Sequence, residues 1–302
     1  MIKKINPKLA NALGIVTIIS WGSLGLLGSE AASLPPLFVL AFCFWGATLI
    51  GLVIVLIRVK SGAPLPSVSL NNAVLGGTFL FGYHYLYFSA FHFAPAIEVS
   101  LLNYLWPAFV IIIGNLFFSL KSGIRGVIAA LIGFSGIVVL FGSNVAAFSQ
   151  PDYLFGFALA LAGAIVWATY SNLRRNSSGD VVFMVTAICA IAASLATGFS
   201  WMLEDQSYPT NTQLVTLILL TIGPAGGAFF LWDVALKHGN AAMLAVFGYA
   251  APLISTGLLI ASGLADLSLR IVLATLLIAA GGLFTIKLPR LFKSKKATKV
   301  TN

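Results

Sequence analysis

Charged residues are scarce in this sequence. They make up 8% of the 302 residues, against about 25% in a typical soluble domain, and only eight residues are acidic. A soluble protein of this length could not cover its surface with so few charges. Hydrophobic residues instead make up 59% of the chain. The composition therefore excludes an ordinary soluble enzyme and indicates a polytopic membrane protein.

Sequence motifs for catalysis and for cofactor binding are also lacking. There is no Walker motif, no nucleophile–base pair and no run with metal-ligand spacing. The two cysteines, Cys43 and Cys189, lie inside apolar runs and are expected to be packing residues. The net charge of +9 comes with no nucleic-acid-binding motif. We therefore expect no enzymatic activity, no cofactor or metal, and no nucleic-acid partner.

Long apolar runs are frequent, and each is close to the roughly 20 residues that cross the hydrocarbon core of a bilayer as a helix. The predicted class is an all-α polytopic membrane protein in the lipid bilayer. We predict ten transmembrane helices, at residues 9–28, 36–57, 72–92, 96–119, 124–142, 154–173, 181–202, 213–236, 240–262 and 268–288.

The lysines and arginines predict how these helices are oriented. With a cytoplasmic N-terminus, ten alternating spans place all but one of the 17 basic residues on the cytoplasmic side, Arg270 being the exception. Such an asymmetry is typical of membrane proteins, whose cytoplasmic loops are enriched in lysine and arginine. Both termini are therefore expected in the cytoplasm. The tail, 291–302, is expected to be a basic segment facing solvent or lipid headgroups.

The chain resembles itself when it is shifted by 145 positions, the separation of Tyr104 and Tyr249. In the same register, Pro107 aligns with Pro252. Each half, 1–145 and 146–290, contains five predicted spans, and an odd number of spans turns the second half upside down. The prediction is thus two inverted five-helix repeats, an architecture in which secondary transporters bind substrate near the membrane midplane.

The third predicted span carries polar and aromatic residues near its middle. Tyr83, His84 and Tyr87 share one helix face by their spacing, and Tyr85 points roughly the opposite way. These residues are either the wall of a pocket or interfacial tyrosines beside a packed histidine. Interfacial aromatics belong at span ends, so the mid-span position favours a pocket.

The fourth predicted span contains Asn103-Tyr104-Leu105-Trp106-Pro107. Because proline removes a backbone donor, Pro107 is expected to break the helix, and Pro252 is expected to do the same in the ninth span. Tyr104 and Trp106 would point about 160° apart on an ideal helix, so both reach one cavity only if the helix is distorted. The alternative is a kink that serves packing alone.

Three residues of the second half are further candidates. Trp167 is a mid-span tryptophan that fits either packing or a pocket. Asp233 and Lys237 are four positions apart in the eighth span and are close enough to pair. They are candidates for gating or coupling, although structural pairing or snorkelling of Lys237 to the interface explains them as well. Glu98, at the outer end of the fourth span, is expected to be solvated.

Several motifs resemble the aromatic amino acid exporters, an EamA-type family of the drug/metabolite transporter superfamily. The resemblance covers essentially the whole chain. It is carried by Ala96-Ile97-Glu98-Val99, the Asn103–Pro107 run, Gly163-Ala164-Ile165-Val166-Trp167-Ala168, His238-Gly239-Asn240 and Tyr249-x-x-Pro252.

This resemblance implies two inverted repeats around a central cavity, in a bacterial inner-membrane protein that works by alternating access. It also implies export of Phe, Tyr and Trp, and it does not exclude other neutral amino acids. The cavity-lining residues that it implies are Tyr83, His84, Tyr87, Tyr104, Trp106 and Trp167.

Other functions stay open from the sequence alone. The main alternative is an exporter of another small metabolite or of a lipophilic cation, and a membrane-embedded enzyme or a channel are further classes. We expect a monomer driven either by the substrate gradient or by antiport of protons, because no nucleotide site is present in the sequence.

Overall fold

The computed structural model describes residues 5–65, 67–142, 145–205, 208–263 and 266–285, and no residue in these ranges lies in a β-strand. The basic tail predicted at 291–302 lies outside the described residues. The described α-helices are α1 (Pro7–Gly22), α2 (Leu24–Ala31), α3 (Pro36–Lys60), α4 (Leu70–Ala90), α5 (Ala96–Asn103), α6 (Trp106–Phe117), α7 (Gly123–Phe141), α8 (Leu154–Asn176), α9 (Val181–Leu203), α10 (Asn211–Ile222), α11 (Gly227–His238), α12 (Ala241–Phe247), α13 (Ala250–Ala261) and α14 (Leu269–Thr285).

Several helices begin at residues that suit a helix N-terminus. Pro36 opens α3 at its first position, where a missing N–H costs no hydrogen bond. Asp180 caps α9 by accepting a hydrogen bond from the Phe183 amide. Thr210 and Gln213 form a capping box at the start of α10.

Helices occupy all ten segments that the sequence predicts as spans, and several of these segments are interrupted. The first is divided at Ser23, the fourth at 104–105, the eighth at 223–226 and the ninth at 248–249. The interruptions at 104–105 and 248–249 lie two to four residues before Pro107 and Pro252, where the sequence predicts breaks.

Within the described ranges, seven segments are long and apolar enough to cross a membrane. The first predicted span and α4 are not among them. In α4, asparagines, tyrosines and a histidine lower the mean hydropathy. The last, Leu269–Phe284, is apolar but shorter. The qualifying segments are Pro36–Lys60, Glu98–Phe117, Gly123–Phe141, Pro151–Asn176, Val181–Leu203, Asn211–His238 and Ala241–Leu258. The ten-span count thus stays a prediction.

Two long helix pairs form the sides of the bundle. α3 packs along α9, and α7 packs along α14. Between these pairs, α4 packs on α8 and α9, and α1 packs on α11. The buried core runs through the middle, where aromatic side chains from α1, α4, α6, α8 and α11 meet.

The α3–α9 pair is antiparallel and is joined at both ends. At one end, the Glu204 carboxylate accepts hydrogen bonds from the Leu37 and Phe38 amides, at 2.7 and 3.0 Å. These contacts cap a helix whose own preceding residue, Pro35, offers no side-chain cap. At the other end, Arg58 makes a bidentate contact with Asp180, at 2.7 and 3.2 Å.

The α7–α14 pair is also antiparallel, and small residues bring its backbones together. A Cβ on Gly136 would lie 2.9 Å from the Ala274 carbonyl oxygen, and one on Gly281 would lie 2.8 Å from the Ala129 carbonyl oxygen. Small residues allow this kind of close helix packing in membranes.

Each helix of the α7–α14 pair places an arginine at the C-terminus of the other. Arg125 Nε donates to the Phe284 carbonyl oxygen at 2.7 Å, and the Arg270 guanidinium lies against Gly142, the C-cap of α7. A cation near a helix C-terminus is stabilised by the orphan carbonyls and the helix dipole.

The ion pair between Arg58 and Asp180 gives a pH-dependent prediction. Burial favours a higher pKa for Asp180, but the hydrogen bonds from Arg58 and the Phe183 amide lower this pKa below its ordinary value. The stabilisation is therefore complete above about pH 4 and is lost as the pH falls through the lowered pKa. Asp180→Asn keeps a capping side chain and should lose less than about 1 kcal/mol at pH 7.

The measurement is the thermal unfolding midpoint in detergent, at pH 7 and at pH 3. Asp180→Ala is the comparison, because it removes the cap as well and should lose about 1 kcal/mol more. The difference between wild type and Asp180→Asn should be smaller at pH 3 than at pH 7. An undiminished difference at pH 3 would show that the carboxylate charge contributes nothing.

Candidate functional site

Four tryptophans form the centre of the candidate site. Trp21 on α1 lies 5.6 Å from Trp167 on α8, 4.9 Å from Trp232 on α11 and 6.2 Å from Trp106 on α6, measured between ring centroids. Trp106 also contacts the other two edge-on, at 6.1 and 6.2 Å. The spacing and the edge-on geometry are favourable for aromatic pairs. Four separate helices are thus joined by one aromatic cluster.

The helix break in the ninth predicted segment makes room for Trp106. A Cβ on Gly248, between α12 and α13, would lie only 2.5 Å from the Trp106 ring. The interrupted fourth and ninth segments therefore meet here, where the Trp106 indole packs on Gly248. Trp106 is 5% exposed and Trp167 is 3% exposed, so both are core residues of the cluster.

The aromatic face of α4 lies against this cluster. The Tyr83 ring is 5.0 Å from Trp167 and stacks on Tyr87 at 6.1 Å with an interplanar angle of 2°. Tyr85 points away and contacts Phe81 and Phe199. The predicted division of α4 into two faces is therefore confirmed.

His84 lies among aromatic rings of three helices. Its ring is 4.7 Å from Tyr83, 5.4 Å from Phe44 and 6.1 Å from Phe229. Its Nδ1 lies 2.8 Å from the Leu80 carbonyl oxygen. Since a carbonyl oxygen only accepts, this contact requires a proton on Nδ1 and leaves Nε2 for another partner.

A short polar seam connects α4 to α5. Asn103 Nδ2 donates to the Tyr83 hydroxyl at 3.3 Å, and the hydroxyls of Tyr87 and Ser100 lie 3.5 Å apart. The seam aligns the tyrosine rings because each hydroxyl is held by the neighbouring helix. It places hydrogen-bonding groups beside the aromatic cluster, where the ends of a small polar ligand would need them.

Most of the predicted cavity residues come together in the structure. Tyr83, His84, Tyr87, Trp106 and Trp167 are connected by ring contacts, directly or through Trp21. Tyr104 stands apart, since its ring contact is with Phe141 on α7 at 5.9 Å. Tyr83, His84, Tyr87 and Tyr104 are half-buried.

The predicted pairing of Asp233 with Lys237 is wrong. Both Asp233 oxygens are bonded to the Arg174 guanidinium, at 2.8 and 2.6 Å. Lys237 Nζ instead donates to the Gly179 carbonyl oxygen at 2.7 Å. The cause is helix packing, because α8 brings Arg174 against α11, and a planar guanidinium binds both carboxylate oxygens at once.

The Arg174–Asp233 ion pair lies near one end of the bundle. We call this the basic end, and Arg58, Arg125 and Arg174 mark it. Here α8 is also tied to α6, because Asn172 Nδ2 donates to the Val110 carbonyl oxygen at 2.9 Å and Arg175 donates to that of Phe118. The side chains of Arg174 and Asp233 are 3% and 1% exposed.

Sequence reasoning missed several parts of this site. The predicted span 154–173 leaves Arg174 in a loop, whereas Arg174 lies inside α8 and is buried. Trp232, which belongs to the tryptophan cluster, was not among the predicted site residues. It directly precedes Asp233, which was. Glu98 was expected to be solvated and is 4% exposed, because α5 packs against α8 at this point.

A cavity of about 430 Å³ lies elsewhere, between α3 and α9. Its lining includes Trp45 and Trp201, which are 46% and 75% exposed, and Trp45 Nε1 donates to the Thr197 hydroxyl at 3.1 Å. None of its lining residues belongs to the aromatic cluster. It is an open apolar groove on the side of the bundle, distinct from the candidate site.

Known proteins are similar to this chain in sequence and in fold. Residues 8–142 match the EamA-like transporter family. The aromatic amino acid exporter YddG of Ancylobacter novellus is 32% identical over 286 residues, covering 93% of this chain and 98% of that protein. The Escherichia coli protein of the same name is 26% identical over 293 residues, covering 91% and 95%.

A solved crystal structure has a similar fold. It belongs to a protein 32% identical in sequence and superposes with a TM-score of 0.81, covering 92% of this chain and 96% of that chain. The chain therefore belongs to the EamA-type aromatic amino acid exporter family of the drug/metabolite transporter superfamily and is a multi-pass membrane transporter.

Proposed function

We propose that this transporter exports phenylalanine, tyrosine and tryptophan, with other neutral amino acids as weaker substrates. The observation that carries the proposal is the aromatic cluster, in which Tyr83, His84 and Tyr87 remain half-buried beside Trp167. Each aromatic pair adds about 0.5–1.5 kcal/mol beyond burial, so several rings would favour an aromatic substrate. The names of the similar exporters point to the same substrates.

The proposed binding residues are Tyr83, His84, Tyr87, Tyr104, Trp106 and Trp167, around a central cavity. Tyr83, His84 and Tyr87 would contact the substrate ring directly. Trp106 and Trp167 would support this face from behind, since both are buried. Tyr104 would contact the substrate from the helix break at 104–105, because it is half-buried there and follows Asn103.

The proposed topology has ten spans and both termini in the cytoplasm of a bacterium, in its inner membrane. Contacts between helices that are distant in the chain support this topology. Each contact joins two helix ends that ten alternating spans place on the same side of the membrane. Asp180 meets Arg58, Glu204 meets the start of α3, and Arg125 meets Phe284. The arginines of the basic end would then face the cytoplasm.

The proposed mechanism is alternating access between two inverted repeats, 1–145 and 146–290. Packing supports this symmetry, since equivalent helices under the 145-residue shift pair with each other, α3 with α9 and α7 with α14. Arg125 and Arg270, equivalent in the same register, take reciprocal positions at the ends of α7 and α14. The interruptions near Pro107 and Pro252 would be the bending points.

The basic end is the proposed gate. The bonds from α8 to α6 and α11 close this end, and the Arg174–Asp233 ion pair is its most buried contact. In the proposed cycle these contacts would separate when substrate enters from the cytoplasm. Asp233 thus keeps a proposed gating role, with Arg174 as its partner, and Lys237 would fasten the adjacent loop at Gly179.

The proposed driving force is the substrate gradient, with proton antiport as the second candidate. His84 is the residue through which protons would act, because its Nε2 is open to a partner at the cluster. The test measures transport in sealed vesicles with and without a pH gradient. If transport does not respond to the gradient and His84→Ala transports at the wild-type rate, proton coupling through His84 is excluded.

The test of substrate class is counterflow in proteoliposomes that hold the purified protein. Vesicles preloaded with unlabelled tryptophan should accumulate radiolabelled tryptophan and phenylalanine transiently and saturably. Leucine should compete weakly, and tetraphenylphosphonium should not compete, because both oxygens of Asp233 are engaged by Arg174. Strong competition by the cation alone would favour export of lipophilic cations, and uptake that does not saturate would indicate a channel.

A further inference from the structure

Asn103 is a buried amide with an unused acceptor. The residue is 4% exposed, and its Nδ2 donates to the Tyr83 hydroxyl at 3.3 Å. Its Oδ1 is buried and accepts no hydrogen bond from any described residue. Buried polar atoms in native proteins are nearly always paired, so an unpaired one calls for an explanation such as a ligand.

The backbone of Asn103 adds a second acceptor at the same place. In an unbroken helix its carbonyl would accept from the residue four positions later, which here is Pro107 and has no N–H. The amides of Tyr104 and Leu105 are directed elsewhere, to the carbonyls of Ser100 and Leu102. Asn103 is also the last residue of α5, where the helix dipole favours a positive charge.

We propose that Asn103 recognises the α-ammonium group of the transported amino acid; this proposal rests on the proposed function and deepens it. Two acceptor oxygens at a helix C-terminus match a group that carries three N–H donors and a positive charge. A carboxylate does not fit the unpaired Oδ1 or the backbone carbonyl, because these oxygens and a carboxylate all only accept hydrogen bonds. The Tyr83 ring, fixed to the same amide, would lie beside the aromatic side chain of the substrate.

The experiment is equilibrium binding of three radiolabelled probes to the purified full-length protein in detergent. L-Phenylalanine carries both charged groups, phenethylamine lacks the carboxylate, and 3-phenylpropionate lacks the amine. Asn103→Leu should weaken phenylalanine and phenethylamine binding about ten- to a hundredfold, the range expected for a lost hydrogen bond to a charged group. Binding of 3-phenylpropionate should change less than about twofold.

Two further variants make the result decisive. Asn72→Leu, the same substitution at an exposed position of α4, should leave the binding of all three probes unchanged. Asn103→Asp keeps an acceptor at this position and should bind phenethylamine at least as tightly as the wild type. Folding of each variant is judged by its monodispersity on size-exclusion chromatography. If Asn103→Leu folds poorly, the binding measurements on Asn103→Asp still test the proposal.

The outcomes separate this proposal from the proposed function. Equal losses for all three probes in Asn103→Leu would overturn the recognition of the amine and leave a structural role. A loss confined to 3-phenylpropionate, or a loss of phenethylamine binding in well-folded Asn103→Asp, would overturn it as well. If the wild-type protein binds none of the three probes, the proposed function itself fails, and the proposal falls with it.

Discussion

Replacing Asp233 by alanine is expected to cost about 3–5 kcal/mol of folding stability, because it leaves the Arg174 guanidinium buried without a counter-charge. Both side chains are almost fully buried, and two short hydrogen bonds join them. Asp233→Ala and Arg174→Ala should therefore lower the thermal unfolding midpoint in detergent strongly. The yield of protein inserted in the membrane should fall with it.

The double variant Arg174→Met/Asp233→Leu is the control for this effect. Replacing a buried ion pair by apolar residues of similar volume is often neutral or stabilising, so the double variant should recover most of the lost stability. Lys237→Ala should cost less than about 1.5 kcal/mol, the upper value for a typical hydrogen bond. Equal destabilisation by Lys237→Ala and Asp233→Ala would contradict the assignment of Arg174 as the partner.

The double variant also tests the proposed gate. If the ion pair only holds α8 to α11, a stable double variant should exchange substrate as fast as the wild type. If the basic end must open and close in each cycle, apolar packing there should change the counterflow rate while folding stays intact. Stability and transport thus report different properties of the same contact.

The error about Asp233 shows where sequence reasoning reaches its limit. A spacing of four residues makes Asp233 and Lys237 neighbours on one helix, and this much follows from helix geometry. Which of the nearby cations takes the carboxylate depends on how α8 packs on α11. No local pattern encodes that contact, since Arg174 lies 59 residues away in the chain.

Features that depend on one segment were accessible from the sequence. The two faces of α4 follow from helix periodicity, and the interruptions near Pro107 and Pro252 follow from the missing proline N–H. The site around them was only partly predictable. Trp232 comes from another part of the chain, and the place of Trp106 depends on Gly248, which lies 142 positions away.

Trp106→Ala should be the second large effect, in folding stability as well as in transport. Truncating a buried tryptophan leaves a cavity and typically costs about 3–5 kcal/mol. Here it also removes ring contacts with Trp21, Trp167 and Trp232. The mid-span position of Trp106 in the sequence predicts that Trp106→Ala impairs transport and leaves insertion intact. The burial of this indole instead makes a lower unfolding midpoint part of the expected result.

Trp106→Phe and Tyr83→Ala separate the two consequences. Trp106→Phe keeps a ring against Gly248 and should retain most of the stability and much of the counterflow. Tyr83 is half-buried, so Tyr83→Ala should leave the protein well inserted and weaken the binding of phenylalanine and tryptophan. The loss of one aromatic partner is worth about 1 kcal/mol, which corresponds to roughly five- to tenfold in affinity.

Tyr85→Ala is the matched control, since Tyr85 lies on the same helix and is also half-buried. Its ring contacts Phe81 and Phe199 rather than the tryptophan cluster. It should therefore lower the unfolding midpoint by an amount similar to that for Tyr83→Ala and leave substrate affinity nearly unchanged. If both variants weaken phenylalanine binding equally in well-inserted protein, the face of α4 that carries Tyr83 does not bind substrate, and the proposed site is wrong.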